Sequence, residues 1–142
     1  MTKKIFGLVL MAMSAQAFAE DPHYDGSDPL LCTVLTTDQC DIDGCEEIDI
    51  EDLGMPRHFH VDFKKKRLSS TQYNQQTSET VIDHVQQIDN RLILQGVDET
   101  TPEAEDAQAW AIVVADPTGM MTFTLTSEEL AIVGFGACAP VE

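Results

Sequence analysis

From Leu30 to its end the chain is a series of short apolar runs punctuated by Pro and Gly, with little helical periodicity. No other feature constrains the fold as strongly. An extended chain alternates sides at every residue, so each run can bury one face as a strand, whereas little here repeats at the spacing of a helix face. The clearest case is His58 to Phe63, where Phe59, Val61 and Phe63 alternate with His58, His60 and Asp62. One face of that strand is apolar and the other polar.

A second signal spans Val81 to Val97, where Asp89-Asn90 can take the positive φ angles of a two-residue hairpin turn. That turn sets Val85 opposite Leu94 and predicts Val81, Val85, Leu92 and Leu94 on the core side. In a third signal, Ala109 to Leu125, the turn is Asp116-Pro117-Thr118-Gly119, with Pro presetting φ and Gly taking the strained position. Treating these residues as the loop pairs Ile112 with Phe123 and Trp110 with Leu125. A shorter loop with a bulge sets the Trp110 face against Thr122, Thr124 and Thr126 instead. A slip of one residue moves a whole apolar face, which favours the first register.

An early strand is expected near Leu31 to Thr36, and a last one over Leu130 to Cys138, where Gly134 and Gly136 mark a bend or a close backbone approach. Together these runs predict an all-β domain of about seven to eight short antiparallel strands, a meander closed as a small barrel or sandwich. Closure leaves few exposed edges. The acidic, proline-interrupted stretch from Asp98 to Gln108 has no apolar period and is expected to be a mobile surface loop.

Residues 1–19 read as a cleaved export signal: Lys3 and Lys4 begin it, Ile5 to Met13 form an apolar core, and Ala17-Phe18-Ala19 is a small-x-small cleavage site. The apolar run is too short to span a bilayer, which needs roughly 20 residues. Pro29-Leu30-Leu31 before Cys32 does not make a lipoprotein cleavage box, so no membrane anchor is expected after cleavage. Residues 20–29 mix acids with Pro, Gly and Ser and read as a flexible leader, leaving 30–142 as one β domain. A periplasmic or secreted location follows.

The formal net charge is −17, and removing the signal takes away two lysines and no acid. Such a balance opposes binding to nucleic acid and favours a cationic protein as partner. It also keeps an exported domain soluble.

Cys32, Cys40, Cys45 and Cys138 allow three pairings, and only topology suggests one. If the first strand runs antiparallel to the last, Cys32 meets Cys138, and Cys40 and Cys45 flank the Asp41-Ile42-Asp43-Gly44 turn. By loop entropy the long bridge contributes up to about 4.7 kcal/mol and the short one roughly 2 kcal/mol. Export disfavours a zinc reading of the same cysteines.

The Cys32-x7-Cys40-x4-Cys45 spacing with a final Gly136-Ala137-Cys138 resembles the frame of a group of small exported alphaproteobacterial proteins. That resemblance implies export and a braced domain, and no activity. A bridge from first to last strand also resembles the small β-barrel inhibitors of c-type lysozyme. Their Ser-Gly-x-x-Tyr motif has Ser70 in the glycine position of Ser69-Ser70-Thr71-Gln72-Tyr73, so no inhibitory residue carries over.

Asp41-Ile42-Asp43-Gly44 has the look of an EF-hand start, but aligning Gly44 with the invariant glycine puts Gln39 and Ile50 at key ligand positions. A looser calcium site from Asp41, Asp43, Glu46 and Glu47 is the remaining form of that idea, against a plain acidic turn. His58 and His60 share one strand face and could chelate a transition metal if His84 joined them. A cupin would continue with Glu, where this chain has Lys64, Lys65 and Lys66. With Arg67 these lysines form the one basic cluster, more consistent with a solvated strand end than an anion site.

Serine-elbow, phosphate-loop and zinc-protease motifs are missing, and the cysteines are committed to bridges. Neither catalytic residues nor a cofactor are expected. The sequence therefore points to a binding module, with inhibition of a cationic envelope-active enzyme such as lysozyme, or weak metal binding, as the alternatives.

Overall fold

The computed structural model describes residues 22–71, 77–98 and 107–141. Residues 1–19, expected to be an export signal, residues 99–106 of the acidic stretch, and Gln72 and Tyr73 lie outside them. Among the described residues all regular structure is extended: β1 (Leu30–Cys40), β2 (Cys45–Glu47), β3 (His58–Asp62), β4 (Arg67–Thr71), β5 (Thr77–Val81), β6 (His84–Ile88), β7 (Arg91–Asp98), β8 (Gln108–Ala115), β9 (Met120–Thr126) and β10 (Ala131–Pro140). No described helix is long and apolar enough to cross a membrane.

The sheet runs β5-β4-β3-β1-β10-β9-β8-β7-β6, with β2 pairing β1 to the side, and every ladder is antiparallel. Counting directions round this order from β1 makes β5 and β6 run the same way. They are separated only by Ile82 and Asp83, so they form one extended stretch that changes partner at its middle. The hydrogen bonds mark the exchange: Ile82 N–H donates to Lys66 O at 3.0 Å, and Asp83 N–H to Gln95 O of β7 at 2.9 Å. The meander thus curls into a barrel-like wall, with first strand against last as expected. No ladder joins β5 to β7.

The expected registers of the two hairpins are present: Val85 faces Leu94, Trp110 faces Leu125, and Ile112 faces Phe123. Asp89 has φ 51° and Gly119 φ 70°, the left-handed turn geometry that each loop requires. The core assignment over Val81 to Val97 is only half right. Leu92 and Leu94 are fully buried, but Val81 and Val85 are 46% and 40% exposed. The partner change gives the inward position to Ile82, and β6, paired on one side only, has nothing packed over it.

Bonds join Cys32 to Cys138 and Cys40 to Cys45. Both follow from the ladders, since Cys32 and Cys138 are direct partners across β1 and β10, and Cys40 and Cys45 across β1 and β2. Such bonds belong to a non-reducing compartment.

One end of the barrel is closed by the segment expected to be a flexible leader. Tyr24 is buried there, its hydroxyl donates to Cys138 O at 3.0 Å, and its ring packs at Gly119. Leu30, Val61, Ile82, Leu92, Leu94, Val114 and Met121 fill this half of the interior. A lone aromatic anchors the leader without any apolar period to announce it.

Candidate functional site

The other half of the interior is hollow. A cavity of about 330 Å³ lies beneath the connection from β2 to β3, which folds over it with Ile50, Leu53, Met55 and Pro56. Its walls are Val34 of β1, Phe59 of β3, Leu68 and Ser70 of β4, Trp110 and Ile112 of β8, and Phe123 and Leu125 of β9. The more exposed residues, Ser78, Thr80, Asp98 and Gln108, form a polar rim where β5 stands beside β7 without a ladder.

The space exists because two aromatic rings are pressed against the wall. Trp110 and Gly96 are cross-strand partners, and the indole fills the place where a Gly96 Cβ would stand, beside Val81 O. Phe123 does the same over its partner Gly134. Any larger residue at these glycines would push a ring into the lumen. Pairing of small and large inward residues is how a narrow barrel adjusts its bore.

Trp110 is buried, and its Nε1–H is the one buried side-chain polar atom without a hydrogen-bond partner among the described residues. An orphaned donor of this kind costs about 1–3 kcal/mol. Native interiors rarely keep one. The indole lines the cavity, while Nε1 itself is closed off.

The connection over the cavity is tied to β1. Val34 N–H donates to Arg57 O at 2.8 Å, Ile48 N–H to Thr37 O at 3.0 Å, and the Thr37 hydroxyl to Ile48 O. Arg57 clamps the segment, its Nη2 reaching both carboxylate oxygens of Asp49 at 2.8 and 3.0 Å and its Nε reaching Glu51 at 3.2 Å. The Asp49 carboxyl lies below its ordinary pKa, chiefly because the Glu51 N–H donates to it and then because Arg57 is near.

The residues singled out in the sequence lie elsewhere. His58 and His60 are exposed on β3, and the Nδ1 of His58 shares a 2.9 Å hydrogen bond with Thr33 Oγ1. His84 stands on β6, which pairs with β7 and not with β3 or its neighbours. Asp41 Oδ1 accepts the N–H of Asp43 at 2.8 Å and of Gly44 at 3.1 Å, so this carboxylate caps its own turn. Asp43, Glu46 and Glu47 are exposed around it. No three His, Cys, Asp or Glu side chains group as metal ligands among the described residues.

Motif reading missed the cavity because its residues belong to no motif. Of its wall, the Trp110 to Leu125 and Ile112 to Phe123 pairings are legible, and with them the inward face of β8 and β9, together with the apolar face of β3 that carries Phe59. Comparison with known proteins adds no assignment: no family model, curated protein or solved structure matches this chain.

Proposed function

We propose that the protein is an exported binding module, periplasmic or secreted, that holds a small, mainly apolar ligand inside its barrel and performs no chemistry on it. The observation that carries this reading is the 330 Å³ cavity walled by Leu68, Trp110, Ile112 and Phe123. Its volume lies at the lower end of the roughly 300–1,000 Å³ of small-molecule sites. A barrel of about eight strands is just wide enough to be filled by side chains or to hold one small ligand. This one is filled in one half and open in the other.

Trp110 is the single tryptophan of the sequence, so tryptophan emission reports on the cavity wall. Octanol titrated into the protein should shift that emission along a saturable one-site curve, with matching heat in calorimetry. A flat response in both measurements would reject the reading.

A second reading, inhibition of a cationic envelope enzyme such as lysozyme, is favoured by the tip of the β1–β2 hairpin. There Ile42 is 99% exposed between Asp41 and Asp43, on a turn held by the Cys40–Cys45 bond. A braced tip loses little entropy on docking. Inhibition weakened by salt and by Ile42→Ser would support this reading, and no inhibition at low salt would discard it.

A further inference from the structure

We propose that the cavity selects a cationic amphiphile, an alkyl or aryl ammonium compound whose apolar body fills the barrel and whose charged end rests at Asp98. This deepens the reading of the cavity as a ligand site and depends on it. Among the described residues, Asp98 is the one ionisable side chain lining the space, and no Lys, Arg or His lines it. Asp98 ends β7 on the rim, facing Gln108 across the ladder, and is half-buried. It forms no salt bridge with another described residue. An apolar body against Trp110, Ile112 and Phe123 would therefore bring its polar end out beside a carboxylate.

The chemistry of that end follows. An ammonium group there gains an opposite charge at a partly desolvated position and neutral acceptors in Ser78, Thr80 and Gln108. A carboxylate would face Asp98 with no cation in the lining to balance it, the situation that disfavours the charged form of both groups. The chain's net charge of −17 acts in the same direction, concentrating cations near the molecule and repelling anions. A fatty-acid-like ligand is thus the class that this cavity rejects.

Octylamine, octanol and octanoate share one apolar body and differ only in the polar end, so their affinities, read from Trp110 emission, isolate the selectivity. Octylamine, protonated at neutral pH, should bind about tenfold more tightly than octanoate, with octanol between them. Asp98→Asn should bring the octylamine-to-octanol ratio close to one, and its thermal transition, measured beside it, should show a folded protein. Octanoate binding as tightly as octylamine would overturn the proposal, as would an unchanged ratio in Asp98→Asn. If octanol binds and the amine has no advantage, the cavity remains a ligand site and only its cation selectivity falls. If none of the three binds, both readings fail together.

Discussion

The ring of Phe123 occupies the position that a Cβ on Gly134 would take, directly across the ladder between β9 and β10. Alanine at 134 must therefore displace the ring towards the lumen or bend β10 away. Overpacking of this kind costs about 1–3 kcal/mol. Urea denaturation of Gly134→Ala should show a lower midpoint at unchanged slope, and a midpoint equal to that of the native protein would mean that the ring does not lie there.

Gly96→Ala makes the companion case, because the ring it meets is Trp110, itself in the cavity wall. Displacing the indole inwards should blue- or red-shift the emission and weaken octanol binding together with stability. A stability loss with unchanged emission would place the adjustment in the β5 backbone at Val81, the other group against Gly96.

The glycines also show how far the sequence could be read. Alternation at Phe59 and Val61, the turn at Asp89-Asn90 and the loop at Asp116 to Gly119 are local signals. The alternation marks a strand, and the two turns each set the register of a hairpin. Gly134 and Gly136 were legible as close approaches, because a strand glycine has few other uses. The partner change at Ile82–Asp83 is not legible: Val81 and Val85 share one parity on either side of it, and only the curling of the whole sheet decides that Ile82 turns inward. Tyr24 was hidden for a similar reason, since one buried aromatic has no period. The cavity lies still further from the sequence, being a volume left over when Trp110 and Phe123 fold back onto glycines of neighbouring strands.

The two bridges should differ in their contribution. Cys32–Cys138 closes a separation of 106 residues and Cys40–Cys45 one of 5. Loop entropy makes the first worth about 4–5 kcal/mol and the second about 2 kcal/mol, before any compensation in the unfolded state. Replacing each pair by alanine and measuring denaturation should reproduce that order. An equal loss from both pairs would show that chain entropy is not what the long bridge supplies.

Tyr24 predicts an alkaline weakness. Burial first, and the Asp116 carboxylate second, raise its phenol above the ordinary value of 10.0. A raised pKa means that the folded state holds the proton more firmly than the unfolded chain. The stability linked to it is complete below about pH 10, and is lost as pH rises through the folded value. Tyr24→Phe removes both the linkage and the hydrogen bond to Cys138 O, the latter worth about 1 kcal/mol. The native protein should be the more stable at neutral pH, and the gap should narrow above pH 10; a gap constant across that range would contradict the linkage.

A filled cavity should be more stable and less able to bind. Ser70 is buried on β4 and lines the space, so Ser70→Val adds apolar volume where there is room for it and removes a hydroxyl from the wall. Cavity-filling changes at compatible sites commonly add about 0.5–2 kcal/mol. Thermal unfolding of Ser70→Val should therefore move upward while the octanol affinity read from Trp110 falls. The two effects are expected to be coupled, because a cavity maintained against the density of native interiors is retained at a cost in stability. Gain in stability with undiminished binding would place the ligand elsewhere in the barrel, and loss of both would mean that position 70 has no free volume beside it.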